Sequence, residues 1–141
     1  MYEGESLRAM ANQMFITVDR NKRLVANFSY EYADELSSRE IFYISELEDQ
    51  TLVLKSAHNN LYVCLDDEEL HTSCNASIKE QKPTQFVKLC HSHYKSLIMG
   101  VGTCKVFGLR CLANGRSVTV SLRDKDYGVL KVSFKHSTFR S

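Results

Sequence analysis

The 141-residue sequence has no tryptophan, a single proline (Pro83) and six glycines. It also has no apolar run near the roughly 18 residues of a membrane span. The start, Met1-Tyr2-Glu3-Gly4-Glu5-Ser6, lacks the basic and apolar regions of a secretory signal. That leaves a cytosolic chain, export without a signal, or a mature fragment. The five cysteines (Cys64, Cys74, Cys90, Cys104 and Cys111) include no C-x-x-C pair, and their number is odd. Both facts argue against a disulfide scaffold and a zinc ribbon, and free thiols fit a reducing compartment of synthesis. No phosphate-cradling or dinucleotide-binding glycine pattern occurs. Nothing reads as a linker or low-complexity stretch.

Constellations able to carry catalysis are scarce. Cys90-His91-Ser92-His93 gathers a thiol and two imidazoles. Strand alternation sends Cys90 to the face opposite both histidines, and a fourth zinc ligand is missing. The run Asp66-Asp67-Glu68-Glu69 lacks the alternating ligands and central glycine of a calcium loop. It reads as a solvated hairpin tip. The expectation is therefore no catalytic residue, no metal and no cofactor. Asn27-Phe28-Ser29 and Asn75-Ala76-Ser77 match the glycosylation acceptor pattern, which matters only on a secretory route.

What the chain does have is period-two alternation in runs too short for helices. Twelve strands are expected: 6–11, 14–19, 23–28 and 40–47; 51–57, 61–66, 70–74 and 85–91; 96–101, 105–112, 117–122 and 129–135. Leu7, Leu52 and Leu97 are spaced 45 residues apart and open three similar sets. Asp19-Arg20-Asn21-Lys22 and Asp66-Asp67-Glu68-Glu69 supply polar turns, and Asn114-Gly115 is the strongest turn signal. Ile16, Val63 and Phe107 are expected at one inward position, and Val18, Leu65 and Leu109 at the next. Phe42, Phe86 and Leu130 are matched in the closing strands, with Lys88 out of pattern there. The segment 30–37 favours one helical turn. Three four-stranded units closed on a pseudo-threefold axis make an all-β β-trefoil, a single domain over 1–141 with repeats near 6–47, 51–91 and 96–136.

Net charge is +1, but residues 96–141 carry 8 basic and 2 acidic side chains, or +6. Such a face suits a polyanion or an acidic protein patch. Nucleic acid is not expected, because the basic residues there are not interleaved with aromatics. Sugar-binding trefoils lean on tryptophan, which this chain lacks.

Three stretches carry a resemblance. They are Met14-Phe15-Ile16-Thr17-Val18 through Arg23-Leu24-Val25 and Arg39-Glu40-Ile41-Phe42-Tyr43-Ile44-Ser45; Pro83-Thr84-Gln85-Phe86-Val87-Lys88-Leu89; and Val129-Leu130-Lys131-Val132-Ser133-Phe134. In these the chain resembles the interleukin-1 cytokine family, its interleukin-18 and interleukin-33 branches above all. The resemblance implies a non-catalytic, monomeric ligand of immunoglobulin-type receptor ectodomains, agonist or antagonist, secreted without a signal peptide or held as a cytoplasmic precursor. No membrane contact is implied. The candidate receptor contacts are Arg20, Asn21 and Lys22; Tyr30 and Tyr32; Glu48, Asp49 and Gln50; and the basic Lys105, Arg116 and Arg123. The stretch from Leu52 to Ser73, with Asn60-Leu61-Tyr62-Val63 and Glu69-Leu70-His71-Thr72-Ser73, is similar to fibroblast growth factors. That alternative implies heparin-like polyanion binding through residues 96–141. An intracellular β-trefoil binding or scaffold module is the third reading.

Overall fold

In a computed structural model of the chain, residues 4–29, 36–47, 51–74, 84–90, 106–133 and 138–140 are described. Among them run twelve strands: β1 (Arg8–Ala9), β2 (Phe15–Val18), β3 (Leu24–Phe28), β4 (Phe42–Glu46), β5 (Thr51–Ser56), β6 (Tyr62–Asp66), β7 (Glu69–Cys74), β8 (Phe86–Cys90), β9 (Val106–Cys111), β10 (Ser117–Val120), β11 (Leu130–Ser133) and β12 (Phe139–Arg140). Every pairing is antiparallel, and all twelve belong to one sheet.

Six strands close a barrel. β4 pairs with β5, β5 with β8, β8 with β9, β9 with β12, and β12 with β1. A bridge from Glu5 to Phe42 completes the circle. Closure removes the free edges that would template pairing with other chains. The other six strands form three hairpins, β2–β3, β6–β7 and β10–β11. Each hairpin lends a carbonyl to its neighbour. Thr72 N donates to Lys22 O at 2.7 Å, Val132 N to Glu68 O at 2.9 Å, and Ala26 N to Gly128 O at 2.7 Å. This ring of three bonds marks the pseudo-threefold axis of a β-trefoil.

The cross-strand registers match the three units residue by residue. Phe42, Phe86 and Phe139 occupy one position, each fully buried. Each faces a small residue across a barrel seam: Ser56, Cys111 and Ala9 respectively. Leu24, Leu70 and Leu130 form a second buried triplet, set by their partners Val18, Leu65 and Val120. Burying a phenylalanine or leucine contributes roughly 1.5–3 kcal/mol, so each member of these triplets is a substantial part of the core.

The turns between barrel strand and hairpin repeat as well. The Oδ1 of Asn12, Asn59 and Asn114 accepts from the backbone N–H two residues on, at 3.1, 3.0 and 2.9 Å. The residue after each asparagine is left-handed: Gln13, Asn60 and Gly115. Asn12 Nδ2 then reaches Ala26 O, and Asn59 Nδ2 reaches Thr72 Oγ1. Local turn chemistry thereby ties a turn to its own hairpin.

The third unit is phased differently from the expectation. β9 pairs with β8 and β12, so it is a barrel strand equivalent to β5, and the hairpin is β10–β11. The residue matching Ile16 and Val63 is therefore Val118 rather than Phe107, and that matching Val18 and Leu65 is Val120 rather than Leu109. Phe139 rather than Leu130 matches Phe42 and Phe86. The expected strand 96–101, with Leu97, lies outside the described residues. Lys88 does match Ile44, and its ammonium sits 4.8 Å from the centroid of the Phe107 ring. A cation–π contact explains the charge in an apolar place. The expected helical turn over 30–37 falls largely outside the described residues. Immediately after it comes a 3-10 turn, Ser38–Glu40, with Ser37 and Glu40 capping each other.

Candidate binding surface

The shared core leaves the loops as the places where the three units differ. Arg20, Asn21 and Lys22 are exposed at the β2–β3 tip. Asp19 holds that tip, its Oδ1 accepting from Asn21 N at 2.8 Å and Arg23 N at 2.9 Å. Its Oδ2 accepts from Arg23 Nε at 3.0 Å. Arg116 is exposed at the end of the β9–β10 turn, and Arg123 is exposed in the β10–β11 loop. The structure thus places Arg20, Asn21, Lys22 and Arg123 on equivalent hairpin ends around one axis, and Arg116 on a different kind of turn. Tyr30, Tyr32, Glu48, Asp49, Gln50 and Lys105 lie outside the described residues.

The β10–β11 connection departs most from its counterparts. Two hairpins turn within a few polar residues, whereas this one uses 121–129. It contains a 3-10 turn, Asp124–Asp126. Both ends are pinned: Ser121 N donates to Val129 O at 2.9 Å, and Gly128 N to Ser121 O at 2.6 Å. The Asp126 carboxylate accepts from Ser121 Oγ at 2.9 Å and pairs with Lys131. Hydrogen bonds from Lys131 and then Ser121 hold this carboxyl below its ordinary range. Gly128 is left-handed at φ +84°, and a Cβ there would stand 2.7 Å from Ala26 O. Glycine is required by both the dihedral and the close backbone approach.

This fixed loop turns apolar side chains outward. Leu122 is 54% exposed and Tyr127 41%, beside the exposed Arg123 and Lys125. Sequence reasoning found Arg123 through charge. It missed Leu122, which alternation assigns to strand 117–122, and it missed Tyr127.

A concavity of about 510 Å³ lies at the β6–β7 tip, lined by Asp66, Asp67, Glu68, Glu69, His71 and Lys131. Small-molecule sites are lined chiefly by apolar and aromatic groups, whereas the described residues of this one are charged side chains and a histidine. His71 Nε2 stands 3.5 Å from Glu69 Oε1. Among the described residues no three His, Cys, Asp or Glu side chains are grouped to hold a metal ion. Cys64 and Cys111 are both buried. Burial pushes the Cys111 thiol up to about 12, which keeps it from acting as a thiolate nucleophile at neutral pH.

No family model and no curated protein sequence matches the chain. Solved structures do match in shape. The designed 3-fold symmetric protein ThreeFoil aligns with a TM-score of 0.70 at 9% identity, over 96% of this chain and 94% of that one. The Macrolepiota procera ricin B-like lectin in complex with lactose aligns at 0.64 and 12% identity, over 99% and 96%. A proteinase inhibitor from Coprinopsis cinerea aligns at 0.64 and 12%, over 96% and 92%. Identities this low speak to fold alone. Together with the barrel, the three hairpins and the ring of carbonyl bonds, they make the chain a β-trefoil.

Proposed function

We propose that this β-trefoil is a non-catalytic binding protein that recognises a protein partner through its 121–128 loop. The observation behind the reading is the outward pair Leu122 and Tyr127 on a loop closed by its own hydrogen bonds. Such a loop loses little conformational entropy on binding. Tyrosine and arginine are the side chains on which interface energy concentrates, and Tyr127 and Arg123 provide both. The +6 balance of residues 96–141 favours a partner with an acidic patch.

The resemblance to the interleukin-1 family supports a partner class, an immunoglobulin-type receptor ectodomain, with the trefoil acting outside the cell. A carbohydrate ligand is disfavoured because, among the described residues, the concavity at the β6–β7 tip has charged walls and no Tyr or Phe platform. The test is binding of the folded protein to immobilised ectodomains of the interleukin-1 and fibroblast growth factor receptor classes. A Leu122→Ala/Tyr127→Ala double variant is run beside the wild type. Binding to an interleukin-1-class ectodomain is expected, weakened about 30-fold or more by the double variant, as loss of a hot-spot residue would give. No binding to any ectodomain, or equal binding by the double variant, would sink the proposal.

A further inference from the structure

We propose that the seam between β1 and β12 binds a small phosphate monoester between Arg8 and Arg140. The two arginines are directly opposed in the antiparallel ladder. Like charges in that arrangement repel unless an anion joins them. With Ser6 and Phe15 they line a cavity of about 280 Å³. No ion pair joins either arginine to an acidic side chain among the described residues. Arg8 Nε is buried and has no hydrogen-bond partner there. Buried polar atoms are ordinarily paired, so the unmatched Nε–H marks Arg8, a residue of the cavity wall, as a guanidinium whose hydrogen bonding is incomplete.

The threefold frame provides an internal control. Arg8, Lys55 and Arg110 hold equivalent places, paired with Phe15, Tyr62 and Ser117 on the following strands. Arg8 lies 4.6 Å from the Phe15 ring centroid, and Lys55 lies 5.8 Å from that of Tyr62. A cation at this place is thus part of the frame. Across the barrel seam, however, Lys55 faces Tyr43 and Arg110 faces Val87. Only Arg8 faces a second cation. Arg140 is exposed.

The lining chemistry selects the ligand. Two guanidinium groups and a hydroxyl offer many donors and two fixed positive charges. A phosphate monoester brings nearly two negative charges and three strong acceptor oxygens at neutral pH. Guanidinium forks match that geometry, whereas a carboxylate or a sulfate ester would offset only one of the two charges. A cavity just below the usual size range of small-ligand pockets accommodates a small alcohol beyond the phosphoryl group, but not a polymer. This site is independent of the 121–128 loop.

The experiment follows the arginine Nε–H NMR signals of the full chain during titration with glycerol phosphate. Saturable shifts of the Arg8 and Arg140 signals are expected, with far weaker responses to the monoanions acetate and methyl sulfate at matched ionic strength. Arg140→Gln should weaken binding about tenfold or more, while Lys55→Gln, at the equivalent place in the second unit, should leave it unchanged. The proposal is overturned by absent saturation, by an equal response to acetate, or by wild-type affinity in Arg140→Gln. Equal losses in both variants would reduce the effect to general surface charge and overturn it too. Tighter binding of a phosphoserine peptide than of glycerol phosphate would overturn the small-ester assignment.

Discussion

At the scale of single residues, Glu40 is an acid placed where acids seldom lie. It is 2% exposed. Its Oε2 accepts from Thr17 Oγ1 at 2.6 Å, and its Oε1 accepts from Ser37 N at 2.9 Å and Ser37 Oγ at 2.8 Å. The carboxylate therefore staples the 3-10 turn before β4 to the hairpin strand β2. Glu40→Ala would leave these donors without an acceptor, at an expected loss of about 2–3 kcal/mol. Urea denaturation should show the midpoint fall with an unchanged slope. Glu40→Gln should lose less, since its amide oxygen still accepts on one side. The Ser37-x-x-Glu40 spacing is a capping-box signal legible in the sequence. The contact with Thr17 is not, because it joins residues 23 apart in the chain.

At the scale of elements, the two short hairpins were readable because polar turns separate clean alternating strands. The third unit was not. Its hairpin loop at 121–129 replaces a tight turn, and residues 91–105 lengthen the connection between β8 and β9. The matched leucines Leu7, Leu54 and Leu109 consequently lie 47 and 55 apart in the sequence, instead of keeping one fixed period. β12 has only two residues, too few to show any period. The same 121–129 loop carries a pH dependence with a definite sign. The folded state depresses the Asp126 carboxyl from its ordinary 3.8. Its contribution is thus present above that value and is lost as pH falls through the folded value below it. Acidification should release the Ser121 and Lys131 contacts, lowering the protection factor of the Gly128 amide relative to its intrinsic exchange rate at the same pH. Asp126→Asn should show fast exchange already at neutral pH. A Gly128 amide equally protected in both proteins would remove Asp126 from the role of loop clamp.

At the scale of the whole molecule, the barrel is closed through its two shortest strands, β1 and β12, of two residues each. Chain ends are usually the parts that tolerate change, and β12 lies one residue from the end of the sequence given. The threefold frame argues otherwise here. Phe139 holds the same place as Phe42 and Phe86, is equally buried, and pairs across to both Phe107 and Ala9. Those two pairings join the last barrel strand to β9 and to the first strand, so the pseudo-symmetric core is incomplete without them. Phe139→Ala should therefore cost about 3–5 kcal/mol, the range for removing a buried phenylalanine. It should rank beside Phe42→Ala and Phe86→Ala rather than beside surface changes. Equilibrium unfolding of the three variants under one set of conditions decides the matter. A Phe139 variant within about 1 kcal/mol of wild type, with the other two far below it, would mean that the barrel holds without its twelfth strand.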